Sequence, residues 1–139
     1  MRFLGGEKPV KRSKGAGLVC LLAACLMLVC ACAANPPREE LYRKLLNYFE
    51  DLGYSCELSS LSDGRDVPVA GPDAWDSLLL DGREEVLVYF DESNRADYLS
   101  SRVDAEQYGL ATRFGLRFVL VYGGTDEGVR AALEDIPNE

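Results

Sequence analysis

Histidine is missing from all 139 residues, and no other absence removes as much chemistry. Without an imidazole there is no Ser-His-Asp triad, no Cys-His pair and no His-based zinc site. Cysteine is scarce where it could matter. Four of the five lie in the apolar N-terminal stretch (Cys20, Cys25, Cys30 and Cys32), and only Cys56 lies beyond it. One thiol makes no internal disulfide and no Cys₄ metal site, and Cys56 has no local base to activate it. Phosphate-loop chemistry is also lacking. Gly123-Gly124-Thr125-Asp126-Glu127-Gly128 has neither the Lys of a P-loop nor dinucleotide glycine spacing, and its two acids sit where an anion would bind. Asp63-Gly64-Arg65-Asp66 lacks the later ligands and closing Glu of an EF-hand. No internal repeat is evident.

Positive charge is abundant only at the start. Residues 1–32 hold Arg2, Lys8, Lys11, Arg12 and Lys14 against Glu7, and the remainder carries 10 − 22 = −12. So acidic a region repels nucleic acid and anionic headgroups. Behind the basic leader, Gly17 to Ala34 runs 18 residues without a charge. A cationic end before an apolar core is the pattern of export, with the basic side retained in the cytoplasm. Two four-residue stretches, Val29-Cys30-Ala31-Cys32 and Leu22-Ala23-Ala24-Cys25, resemble the lipobox that ends a bacterial lipoprotein signal peptide. That resemblance implies cleavage before a lipidated cysteine. Cys32 is favoured, because the mature chain would then begin with a polar tether, Ala33-Ala34-Asn35-Pro36-Pro37; Cys25 is the alternative. An uncleaved anchor competes with this reading, since 18 helical residues rise about 27 Å and barely span a hydrocarbon core. A cleaved, free protein is the third possibility. Each predicts a signal peptide or membrane anchor over 1–34 and an acidic domain over 35–139 working outside the cytoplasm.

Within that domain the pattern predicts an α+β fold in the order α-β-β-β-α-β-α, helices on a mainly antiparallel sheet. Asn35-Pro36-Pro37 reads as a helix start with its prolines in the first turn, Leu41, Leu45, Tyr48, Phe49 and Leu52 share one face, and Gly53 stops the helix. Tyr54, Cys56 and Leu58 alternate with Ser55, Glu57 and Ser59, which predicts a half-buried strand and gives Cys56 a core position. Residues 62–73 read as a long loop. Trp75–Leu80 and Glu85–Phe90 flank Asp81-Gly82, a type I′ hairpin signal. Asp91 to Asn94 caps a helix bearing Ala96, Leu99 and Val103. Residues 104–113 carry no clear signal. Leu116–Tyr122 is the strongest strand, and Thr125 or Asp126 caps a last helix with Val129, Ala132, Leu133 and Ile136.

The run Val119-Leu120-Val121-Tyr122-Gly123-Gly124-Thr125-Asp126-Glu127, with Leu80-Asp81-Gly82 and Val86…Val88-Tyr89 before it, resembles a small domain of uncharacterised bacterial lipoproteins. The similarity covers roughly residues 75–136 and implies an extracytoplasmic α+β domain. Family members carry a Pro-His-Phe stretch where this chain has Thr112-Arg113-Phe114. The resemblance implies no activity and no site.

Two function classes follow. The first is a membrane-anchored, extracytoplasmic binding or envelope-associated module with no cofactor, meeting the membrane through lipid or helix and an envelope protein through its domain. The second is a carboxylate-based hydrolase or divalent-cation module. Asp91-Glu92 and Asp126-Glu127 end two candidate strands; if those strands are neighbours, four carboxylates meet on one rim and could hold Ca²⁺ or do acid/base work. Helix capping explains the same residues more simply. The seven tyrosines offer a possible binding face for protein or glycan, though most occupy amphipathic positions.

Overall fold

The computed structural model describes residues 36–61 and 64–138. The expected signal or anchor segment, Cys25 and Cys32 included, lies outside them, as does the Asn35 cap. Among the described residues no helix is long and apolar enough to cross a membrane. Glu39–Glu139 forms a compact unit.

Helix α1 (Arg38–Asp51) starts after Pro36 and Pro37 rather than around them. It ends as its glycine demands. Gly53 takes φ +98, its N–H donates to the Glu50 carbonyl (2.9 Å), and Tyr54 N–H reaches back to Phe49 (3.1 Å). These two bonds make a Schellman motif, which satisfies carbonyls the helix end would leave open.

Five strands follow in the chain: β1 (Cys56–Ser60), β2 (Trp75–Leu80), β3 (Glu84–Phe90), β4 (Leu110–Phe114) and β5 (Phe118–Tyr122). They form one fully antiparallel sheet in the order β1-β2-β3-β5-β4. Asp81 (φ 53) and Gly82 (φ 66) turn β2 into β3 with the positive angles a type I′ turn requires. β4 is an addition to the expected order. It occupies part of the stretch that carried no signal, because all its residues are half-buried and no apolar–polar alternation marks it. Two short helices, α2 (Ala96–Ser101) and α3 (Ala105–Tyr108), precede it, and α4 (Glu127–Glu134) ends the fold.

The sheet is covered on both faces. On the front, Leu78, Leu80, Val86, Val88, Phe90, Phe118, Leu120 and Tyr122 pack with Leu45 and Phe49 of α1 and with Val129, Ala132 and Leu133 of α4. Tyr48 of α1 donates its hydroxyl to the Ala132 carbonyl of α4 (2.5 Å), tying the two helices. On the back, Trp75, Leu87, Val119 and Val121 pack with Leu61, Ala96 and partly buried Val67, Val69, Leu99 and Val103. The segment between β1 and β2 therefore straps the back of the sheet. It is held by Trp75 Nε1 donating to Val69 O (2.7 Å) and Tyr108 hydroxyl donating to Val67 O (3.3 Å).

β1 departs from expectation. Cys56 is half-buried against the front core, yet Glu57, Leu58, Ser59 and Ser60 are all exposed. Among the described residues the strand is an open edge rather than a half-buried one.

Candidate functional site

Where the sheet's back face meets the β2–β3 hairpin end, a cleft of about 430 Å³ opens. Its walls come from four separate elements: Arg65 and Asp66 of the strap, Glu84, Glu85 and Leu87 of β3, Gln107 and Tyr108 of α3, and Val121 to Gly124 at the end of β5. Close backbone approach makes this geometry possible. A Cβ on Gly109 would lie 2.3 Å from the Tyr122 carbonyl oxygen, and Gly109 also has φ +100. Only glycine lets α3 turn into β4 there.

The charged groups lining the cleft are bound to neighbours. Glu85 accepts from the Arg65 guanidinium (2.7 Å) and the Ser77 hydroxyl (2.7 Å). The Arg65 hydrogen bond holds the Glu85 carboxyl below the usual carboxylate range, against the upward push of burial and with help from Ser77 and the Arg65 charge. Gln107 Nε2 donates to Asp66 Oδ2 (2.6 Å). Tyr122 hydroxyl donates to Glu84 (2.8 Å) and accepts from the Asp126 N–H (3.0 Å). Burial and the Glu84 bond push the Tyr122 phenol upward, so it stays protonated at neutral pH. With three carboxylates and one guanidinium, the cleft favours a polar, cationic visitor over an anion. The two hydroxyls bonded to cleft carboxylates, Ser77 on Glu85 and Tyr122 on Glu84, both belong to buried residues.

The carboxylates singled out from sequence do not come together. Asp91 and Glu92 follow β3, and Asp126 and Glu127 follow β5. These strands are indeed neighbours, but antiparallel, with Phe90 opposite Phe118 and Leu87 opposite Val121. Their C-terminal ends point to opposite rims of the sheet. The expected four-carboxylate rim therefore does not form, and among the described residues no group of three or more candidate ligands could hold a metal ion.

The aspartate of each pair also has a structural task. Asp126 Oδ1 accepts from Val129 N–H (3.0 Å) as the N-cap of α4. Asp91 is only 3% exposed. Its Oδ2 accepts the Arg95 backbone N–H (2.7 Å), and its Oδ1 pairs with the Arg95 guanidinium (3.1 Å). Burial pushes the Asp91 pKa up. The Arg95 side-chain and backbone bonds, the Arg95 charge and the Ser93 N–H outweigh it, and the carboxyl lies below its ordinary value. Asp91 thus fastens the β3–α2 connection, while the residue at the formal N-cap of α2 is Arg95, with no side-chain cap bond.

Cys56 is half-buried, and burial, with Glu50 and Asp81 nearby, pushes its thiol upward. It is the less nucleophilic for that. The tyrosines act mainly as polar-tipped core residues: Tyr42 bonds Asp76 (2.6 Å), Tyr48 bonds Ala132 and Tyr122 bonds Glu84.

Sequence reasoning did not find the cleft. Its polar residues are scattered over 65–124 and carry no motif. One signal was available: the hairpin register places Glu85 on the same face as Leu87, hence a carboxylate on an otherwise apolar back face.

No protein-family model, no curated protein and no solved structure matches this chain.

Proposed function

We propose that this protein is a bacterial lipoprotein whose acidic domain is held outside the cytoplasm at a membrane and acts by binding. The observation that carries the reading is the uncharged run Gly17–Ala34 behind a cationic leader, immediately before a domain whose elements begin at Arg38. The leader favours export with its basic end inside, and a diacylated Cys32, or Cys25 in its place, supplies the two chains that stable anchoring needs. Two further features support binding over catalysis. The hydroxyls bonded to cleft carboxylates, Ser77 on Glu85 and Tyr122 on Glu84, belong to buried residues, and the cleft's charged groups are engaged in internal bonds. The net charge of −12 beyond residue 32 (10 − 22) disfavours a nucleic acid partner and suits an envelope protein or a cationic ligand.

The alternative, a carboxylate-based hydrolase or divalent-cation module at Asp91, Glu92, Asp126 and Glu127, has less support. Those residues sit at opposite sheet ends, and both aspartates accept backbone N–H groups.

Mass spectrometry of the mature N-terminus after bacterial expression tests the proposal. The expected N-terminal peptide begins at a diacylated Cys32, and Cys32→Ala abolishes both processing and membrane retention. Recovery of unprocessed chain from the soluble cytosolic fraction would refute it.

A further inference from the structure

The two edges of the sheet are finished differently. β4 is half-buried along its length, and Arg113 on it reaches Asp97 of α2 (3.3 Å) and the Asn138 carbonyl (3.2 Å). β1, at the other edge, pairs only with β2 among the described residues, and four of its five residues are exposed. Open edges are normally blunted by Lys, Pro, a bulge or a covering element, because they template further pairing. β1 has a continuous register from Cys56 to Ser60 and contains neither Lys nor Pro.

The register shows which backbone groups face outward. Asp81 N–H donates to Ser55 O (2.9 Å) and Leu61 N–H to Trp75 O (3.2 Å), so the odd-numbered residues of this segment bond to β2. In an antiparallel ladder the intervening residues direct N–H and C=O the other way. Cys56, Leu58 and Ser60 therefore present three donor–acceptor pairs to the outside. Side chains alternate as well. Leu58, 37% exposed, lies on the front face, and Glu57 on the back. The surrounding charge is negative: Glu50 and Asp81 act electrostatically on Cys56, and both are exposed, as is Glu57.

We infer that the β1 edge takes up an extended basic peptide segment of a partner protein as an added antiparallel strand, with an aliphatic residue opposite Leu58 and, directly after it, a Lys or Arg opposite Glu57. Main-chain bonds to Cys56, Leu58 and Ser60 give the affinity, and the aliphatic–basic step gives the register. Charge complementarity selects this occupant over a second copy of the chain, whose own acidic edge would be brought against this one. The inference rests on the reading of the domain as a binding module, but its test does not depend on how the N-terminus is processed.

The probe is a blocked peptide of about eight residues, alternating threonine and valine, with lysine directly after the central valine. It is titrated against the full chain in detergent micelles and followed by anisotropy and by backbone amide resonances. Perturbed amides are expected over 56–60. N-methylation at the valines, whose N–H groups meet β1, weakens binding at least about tenfold, whereas N-methylation at the threonines leaves it unchanged. Glu57→Lys weakens binding several-fold, and exchanging the peptide lysine for glutamate restores it. The inference is overturned if valine-methylated peptide binds as well as its parent, if the perturbed amides line the 65–124 cleft, or if the edge is occupied by a second copy in a dimer the peptide does not dissociate.

Discussion

Removing the Asp91 side chain separates a structural carboxylate from a catalytic or metal-binding one. In Asp91→Ala the Arg95 backbone N–H loses an acceptor at 2.7 Å, and the guanidinium loses its partner at 3.1 Å. A hydrogen bond to a charged group is worth about 1.5–3 kcal/mol, and the orphaned N–H lies at a partly buried site, so we expect a loss of about 2 kcal/mol. For a domain of about 100 residues that lowers the thermal midpoint by roughly 8–16 °C. Asp91→Asn keeps a side-chain oxygen for the Arg95 N–H but loses the charge and the second acceptor that meets the guanidinium, so its midpoint falls between wild type and alanine. Differential scanning calorimetry, with and without about 1 mM Ca²⁺, reads all three proteins. If Asp91→Ala melts within about 1 °C of wild type, the fastening role is refuted. A Ca²⁺-induced rise in the wild-type midpoint that vanishes in Asp91→Ala would restore the cation reading.

Other expectations follow from the same contacts. Gly109→Ala sets a methyl 2.3 Å from the Tyr122 carbonyl at φ +100 and should cost more than Gly53→Ala, where φ is +98 but nothing lies within 4 Å; urea unfolding should give about 1 kcal/mol for Gly53→Ala and several for Gly109→Ala. Trp75→Phe removes the bond from Nε1 to Val69 O and should increase proteolytic nicking in 64–71 without abolishing the fold, checked by mapping the first cleavage under limited digestion. Stability should also fall in acid. The Asp91 and Glu85 carboxyls lie below their ordinary values when folded, so the unfolded chain binds their protons first as pH drops. Their contribution is whole above pH of about 4 and is lost as pH falls through the folded values; urea midpoints at pH values from about 6 to about 2.5 should decline less in Glu85→Gln.

Much of the fold is legible in the residues, because local rules and packing agree there. Gly53 ends α1, Asp81-Gly82 turns the hairpin, and the apolar run within 116–122, read as the strongest strand, forms β5. Where tertiary context decides, the reading fails. Leu110–Phe114 becomes a strand only because β5 offers it an edge; its own half-buried residues show no period. Alternation in 54–58 places Cys56 inward correctly but misses that no element covers the rest of β1 among the described residues. The carboxylate rim fails on strand direction, which adjacency alone does not specify. The back layer is the least legible part. Val67 and Val69 sit in a loop of turn residues, and nothing local says that they seal a second core or that Arg65 will meet Glu85. The anchor reading draws on residues 17–34, outside the described structure, and stands as a proposal.

The chain has one tryptophan, and it is buried behind the sheet under the strap, while α1, the longest helix among the described residues, lies in front. Emission therefore reports on one layer alone, and the helical ellipticity of the described residues mostly on the other. Heating a single sample while recording both signals asks whether this protein melts as one body. Coincident curves mean the shared strands lock the layers together, and an earlier shift in emission means the rear covering lifts first.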